Sequence, residues 1–326
     1  MNSTSGILGS ENLALNTSNS KEVVTYCQSF SLKTTDIVFA LVICSVVTVG
    51  GSFGNVVVVL VIRRTQSLKT ICGALICNLA MADLLVTAIL MPLIILSLVR
   101  GSVPQCSSTM SGSVFIAIGR YSTTASLLIL ALLSMDRCWA IASPLGRKLR
   151  MTSSKLRNLL VFIWIVSPVI PILDAFGFRY SEFLMRVKIA GVVVCLFAIV
   201  MSGVVTVINV KHKSSKIRNL QGSERKSQVS AGLAKRDKQV AKTIALVVFL
   251  FSLCWVPILI ITAIFPDRYT KLHFWTGFLS LANSALNPCI YFYRQQNYRQ
   301  AFREIIRPDT LSTVLTQYKT QRNQFR

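Results

Sequence analysis

Apolar residues run along this chain in long unbroken stretches, not in the alternating or one-in-three-or-four spacing of a soluble fold. Seven such stretches occur, over residues 36–62, 71–99, 110–141, 159–178, 187–210, 240–265 and 274–293. Each approaches or exceeds the ~20 residues that a helix needs to cross ~30 Å of hydrocarbon. In lipid, a lone segment satisfies its own backbone N–H and C=O groups only as a helix. The pattern therefore predicts an all-α membrane protein built as a seven-transmembrane helix bundle.

Beyond the seventh stretch the pattern changes. Tyr298, Phe302, Ile305 and Ile306 recur at helical spacing with Arg299 and Arg303 between them. That arrangement suits a short amphipathic helix lying flat at the membrane surface, the alternative being a plain solvated tail. The organisation that follows is an extracellular tail (1–35), a seven-transmembrane domain (36–293), an amphipathic helix 8 (294–306) and a cytoplasmic tail (307–326) in which no periodicity is evident. No internal repeat is present, and no two corresponding helices are broken by Gly and Pro at matching places, which argues against a transporter of the inverted-repeat kind.

Composition agrees with a membrane location. Hydrophobic residues make up 52% of the chain and charged residues 14%, against roughly 25% charged in soluble domains. Lys plus Arg number 35 against 12 Asp plus Glu, a net charge of +23. A nucleic-acid partner would need that charge on a soluble core, and its distribution excludes this reading. One set of alternate connections carries Arg63, Arg64 and Lys69, then Arg147, Lys148, Arg150, Lys155 and Arg157, then a dense cluster between Lys211 and Lys238, then Arg294, Arg299, Arg303 and Arg307. The other set carries few. By the positive-inside rule the protein is a multi-pass membrane protein with its N-terminus outside and its C-terminus cytoplasmic. Attraction to anionic inner-leaflet lipid is a secondary effect of the same charges. The 211–238 connection, rich in Lys, Arg, Ser and Gln, is expected to be a mobile loop.

The first 35 residues lack the basic start and apolar core of a cleaved signal peptide, so helix 1 is expected to direct insertion. Asn2-Ser3-Thr4 and Asn16-Thr17-Ser18 fit the glycosylation acceptor pattern and lie on the side taken as outer. Of nine Cys, only Cys27 and Cys106 are expected to face the oxidising side, and their location makes them candidates to pair. The rest fall within or at the inner ends of helices, where a thiol behaves as a small hydrophobe.

Polar residues within the spans are costly and mark function by default. Asp83 lies mid-helix, with Asn55, Ser126, Asn283, Ser284 and Asn287 at similar depth. A carboxyl ringed by hydroxyl and amide oxygens suits a small hard cation, or else forms a hydrogen-bonded packing node with no ion. Asp136-Arg137-Cys138 ends helix 3, and Asp237 at the inner start of helix 6 offers Arg137 a second carboxylate. Such a pair would hold the two helices together until broken; the alternative is snorkelling at the interface. In helix 6, Phe251 and Trp255 stand one turn apart before Pro257, a combination that makes a kinked lever or simply a tolerated proline among core aromatics. In helix 7, Pro288 frees a carbonyl one turn earlier, beside Asn287 and Tyr291.

Taken together, Gly54-Asn55-Val56, the LAMAD stretch ending at Asp83, Asp136-Arg137-Cys138, Trp164, CWVP at 254–257 and NPCIY at 287–291 resemble the rhodopsin-like (class A) G-protein-coupled receptors. The resemblance covers all seven helices in order. It implies a sodium ion, as an allosteric modulator and not a cofactor, at Asp83 and Ser126 with Asn283, Ser284 and Asn287 nearby. It also implies a lock between Arg137 and Asp237, a toggle at Trp255, closure by Tyr291, and a heterotrimeric G protein as partner. Three features depart from the family pattern. Cys138 stands where Tyr is usual, Gly112 where helix 3 usually has its disulfide Cys, and helix 5 lacks its usual Pro. The outer half resembles the branch containing melanocortin, lysophospholipid, cannabinoid and adenosine receptors.

By the same resemblance, Gly119 occupies the position of the aspartate of amine receptors and Leu281 that of the retinal lysine, which disfavours both ligands. Arg120 beside Thr123 and Thr124, with Trp255 below, points to an apolar ligand with an acidic group; the alternative is that Arg120 pairs with Asp174 or Glu182. The expected function is a receptor that passes an extracellular ligand signal to a G protein, not an enzyme. A transporter or channel and a non-signalling decoy receptor are the alternatives.

Overall fold

The computed structural model describes residues 32–101, 110–142, 151–175, 182–219, 224–265, 269–294 and 296–306, and within these some helical side chains, including those of Arg137 and Asp237, are not described. Seven long helices are present: α1 Thr34–Arg64 and α2 Ile71–Val99, α3 Met110–Ala142, α4 Ser153–Val166 resuming as Val169–Ala175, α5 Glu182–Asn219, α6 Glu224–Ile264 and α7 Lys271–Arg294. A short α8, Gln296–Ile306, follows. Five of these meet the length and apolarity of a membrane span outright, and the described apolar stretch of α5 is Ile189–Val205. α7 is less apolar because Ser280, Asn283, Ser284 and Asn287 lie along it, all of them turned inward and buried.

Side-chain hydroxyls set where helices begin. Thr70 accepts the backbone N–H of Gly73 at the start of α2, and Thr152 accepts that of Lys155 at the start of α4, each satisfying a donor the helix leaves open. The connection expected to be a loop between 211 and 238 is largely helical, since α5 runs to Asn219 and α6 starts at Glu224. Lys, Arg, Gln and Ala are good helix formers, and here they extend a helix the membrane span has already nucleated. The amphipathic helix starts at Gln296, and Arg294, expected to open it, belongs to α7.

Two regular helices contain an unforeseen irregularity. α1 is wound as a π-helix over Val47–Gly51 and α2 over Leu85–Leu90. The second lies just before Pro92, which has no N–H to donate to the preceding turn. Widened turns of this kind are frequent at functional sites, and both of these border the polar residues singled out above.

The interior divides into two apolar clusters. One, on the side taken as inner, gathers Val58, Leu75, Leu79, Ile129, Leu133, Val247, Phe251 and Tyr291 among others. The other, on the outer side, gathers Ala40, Val86, Leu90, Ile94, Phe274 and Phe278. The opposite faces of the helices carry large exposed hydrophobics, such as Val49, Phe53, Phe162, Ile165, Phe197 and Phe249. A bundle apolar inside and outside is what lipid as solvent requires. At the outer ends, Lys271 of α7 pairs with Asp36 of α1 at 3.0 Å, and Phe39 meets Trp275 edge-on.

α8 is held by its rings. Tyr298 is 2% exposed and stacks on Tyr291 at 6.1 Å, while Phe302 meets Phe292 at 5.3 Å. Arg299 donates to the carbonyls of Phe292 and Tyr293, which the end of α7 leaves without helical partners. Burial holds the Tyr298 phenol above its ordinary range. The side chain of Ile306 lies outside the described residues.

Candidate functional site: a buried polar layer and an outer cavity

Between the two apolar clusters lies a layer of polar side chains with almost no exposure: Asn55, Asp83, Thr87, Ser126, Asn283, Ser284 and Asn287. Sequence position put all of these but Thr87 at similar depth, and the fold joins Asn55, Asp83, Ser126, Ser284 and Asn287. Asn287 donates from Nδ2 to Asp83 Oδ2 at 2.7 Å, joining α7 to α2. Asn55 donates from Nδ2 to two carbonyls, Gly51 at 2.9 Å in its own helix and Ser284 at 3.0 Å in α7. The second bond has a clear cause. Pro288 cannot donate to the carbonyl four residues earlier, which is that of Ser284, and Asn55 supplies the missing donor from another helix.

Close backbone approach makes this possible. A Cβ on Gly54 would lie 2.8 Å from Pro288 Cβ, and one on Gly51 would lie 2.6 Å from Thr87 Cγ2. Any larger side chain would push α1 away from α7 and α2. The π-turns are stitched in the same way: Asn55 takes the Gly51 carbonyl, and Thr87 Oγ1 donates to the Asp83 carbonyl at 3.0 Å. Helix 3 joins through Ser122 Oγ, which donates to the Ala82 carbonyl at 2.7 Å. Asn78 Oδ1 accepts from Trp164 Nε1 at 3.0 Å and fixes α4 to α2.

The layer is not fully satisfied. Ser126 and Ser284 face the Asp83 carboxyl, but among the described residues Asp83 Oδ1, Ser126 Oγ, Asn55 Oδ1 and the Tyr291 hydroxyl have no hydrogen-bond partner of good geometry. Buried oxygens without donors are costly, and a cluster of oxygens around a carboxyl is the donor set that a small hard cation takes. The residues thus fit the sodium ion that the resemblance implies, held by Asp83 and Ser126, and the charge of such an ion would offset that of the carboxyl.

Nearer the inner end, Phe251 and Trp255 stack at 5.8 Å, with Phe251 buried and Trp255 half-buried ahead of Pro257 inside α6. Asp136 is buried. The side chains of Arg137 and Asp237, and the whole of Asn2, Asn16, Cys27 and Cys106, lie outside the described residues.

In the outer half, α2, α3, α6 and α7 surround a cavity of about 220 Å³, lined by Leu90, Phe115, Gly119, Arg120, His273 and Leu281 among others. Of the four residues expected to form a ligand pocket, Arg120 lines it, whereas Thr123, Thr124 and Trp255 do not. Each of those three sits one helical turn deeper than a lining residue. Arg120 is paired with Asp174 of α4, the alternative to an acidic ligand that the sequence left open. His273, which sequence reading missed, lines the cavity at 3% exposure. Its place near the start of α7 among apolar residues gave no signal of its own.

Seven helices around a polar layer and an outer cavity define a polytopic transmembrane bundle. The family described as 7 transmembrane receptor (rhodopsin family) matches residues 54–291, and the chain belongs to it. The bovine alpha-1A adrenergic receptor is 27% identical over 308 residues, covering 79% of this chain and 65% of its own length. Neuropeptide receptor 22 of Caenorhabditis elegans is 26% identical over 309 residues, covering 83% and 69%. This chain therefore spans about two thirds of the length of its curated relatives. The crystal structure of squid rhodopsin superposes with a TM-score of 0.73 at 18% identity, covering 90% of each chain, a likeness of fold.

Proposed function

We propose that this chain is a plasma-membrane receptor whose outer cavity binds an extracellular ligand and whose inner face catalyses nucleotide exchange on a heterotrimeric G protein. The observation that carries the reading is the Asn55–Ser284 and Asn287–Asp83 bonding across Pro288. It makes α7 a helix held in one packing by partners on α1 and α2, so that a modest change of partners permits another. A ligand that favours the second packing shifts the population toward it. On this reading the N-terminus is outside and the basic connections face the G protein. Arg137 and Asp237 form the lock released on activation, Trp255 and Tyr291 move with it, and sodium at Asp83 and Ser126 favours the inactive packing. A biogenic amine is disfavoured despite the adrenergic relatives, because Gly119 lines the cavity without a carboxylate.

Basal and ligand-stimulated nucleotide exchange in transfected cells tests this, compared with Arg137→Ala, which should abolish it. Exchange that persists in the variant, solute movement through the protein in liposomes, or ligand binding that never accelerates exchange would each overturn the reading.

A further inference from the structure

We propose that the cavity selects an uncharged, mostly apolar ligand bearing a hydrogen-bond acceptor, such as a small ester, ketone or amide, anchored by His273 Nε2; this deepens the receptor reading above and rests on it.

The argument is one of satisfied and unsatisfied groups. Leu90, Ile94, Phe115, Ile116, Ile258 and Leu281 give the cavity apolar walls, and Gly119 leaves room, since a Cβ there would only reach ordinary contact with Leu90. Among the polar lining groups, Arg120 is paired with Asp174, which lowers the attraction of the site for either charge. Ser280 Oγ already donates to the Gly277 carbonyl at 2.7 Å.

His273 differs. Its Nδ1 accepts the backbone N–H of Thr270 at 3.3 Å and lies 2.9 Å from Thr270 Oγ1. A nitrogen that accepts has a lone pair, so the ring is neutral and its proton sits on Nε2. Nε2 is buried and, among the described residues, has no hydrogen-bond partner. Tyr269 stacks on the ring at 5.6 Å and holds its plane. The result is a buried N–H donor on a residue that lines an otherwise largely apolar cavity, left for a ligand acceptor to satisfy. Leaving it unpaired is costly, and a site of this kind rejects the analogue that lacks the matching group. At about 220 Å³ the cavity is smaller than the ~300–1,000 Å³ of drug-sized ligand sites, so the ligand, or the part that enters, is small.

Three probes with the same number of non-hydrogen atoms separate the chemistries: methyl octanoate (neutral acceptor), nonanoate (anion) and undecane (no polar group). Binding to the full chain in nanodiscs is read by native mass spectrometry. Methyl octanoate should bind about tenfold or more tightly than undecane and more tightly than nonanoate, the difference one buried hydrogen bond makes. In His273→Leu the ester's advantage over undecane should vanish with undecane binding retained, and in His273→Gln, whose amide still donates, it should largely return. An equal affinity for ester and alkane in the unaltered chain, a preference for nonanoate, or an undiminished ester preference in His273→Leu would each overturn the proposal. If His273→Leu does not fold, the ranking of the three probes and the His273→Gln result decide. None of these readings needs a G protein. Failure here with intact Arg137-dependent exchange refutes the ligand class alone, whereas ester binding without exchange refutes the receptor reading.

Discussion

Replacing Asn287 with Ala removes the donor that reaches Asp83 Oδ2 at 2.7 Å, between two side chains that are 3% and 0% exposed. A hydrogen bond to a charged group contributes about 1.5–3 kcal/mol, against about 0.5–1.5 kcal/mol for a neutral one. Asp83 Oδ1 already lacks a partner among the described residues, so after the substitution only the facing Ser126 and Ser284 remain beside the carboxyl. Asn287→Ala should therefore cost about 2–3 kcal/mol. In an Asp83→Asn background the lost bond is amide to amide, and the same substitution should cost only about 1 kcal/mol, a coupling of about 1–2 kcal/mol in a double-mutant cycle. The space vacated by the side chain is similar in both backgrounds and cancels. Denaturation of the purified chain in detergent, at fixed sodium and again with choline in its place, measures this. The unaltered protein should lose stability without sodium, by ~1.4 kcal/mol if sodium was at ten times its Kd, and Asp83→Asn should not. Penalties that add within ~0.5 kcal/mol would mean the two side chains are not coupled, and an equal sodium effect in both proteins would remove the ion from this layer.

Three further outcomes are expected. Gly54→Val puts a side chain where even a Cβ is 2.8 Å from Pro288, and should destabilise the bundle by about 1–3 kcal/mol in the same denaturation assay; an unchanged midpoint would mean that α1 is free to shift. Tyr298→Ala empties the ring's place against Tyr291 and Phe292, at about 3–5 kcal/mol. Hydrogen exchange should show amides of 296–306 losing protection before those of the spans, and uniform protection would place the anchor of α8 elsewhere. Asp237→Ala should raise ligand-independent nucleotide exchange, and a normal basal rate would count against its pairing with Arg137.

The number of helices, their membrane location and the depth of each polar residue were all legible in the sequence. These depend on local quantities: unbroken apolar length, and the cost of leaving a backbone group or a carboxyl unpaired in lipid. The stripe of Tyr298 and Phe302 likewise marked α8, because helical spacing of rings between arginines is itself a local pattern. The loop expected at 211–238 was misplaced because composition reports solvation well and the extension of an already nucleated helix poorly.

What the sequence could not supply is which side chain takes up which freed carbonyl. Pro288 announces an open acceptor at Ser284, but Asn55 lies 229 positions away from it, and only the packing of α1 on α7 at Gly54 brings the two within reach. The two π-turns were invisible for a related reason. A widened turn persists where Asn55 or Thr87 caps the carbonyls it opens, and that depends on which neighbour stands close. The outer cavity shows the contrast most plainly. Its sequence offered one conspicuous charge, Arg120, with an acidic ligand or a carboxylate at Asp174 or Glu182 as alternative partners, and the fold chose Asp174 from α4. A histidine with nothing remarkable in its sequence surroundings was left as the buried donor, since partnership is settled by three-dimensional proximity and residue type alone cannot reveal it.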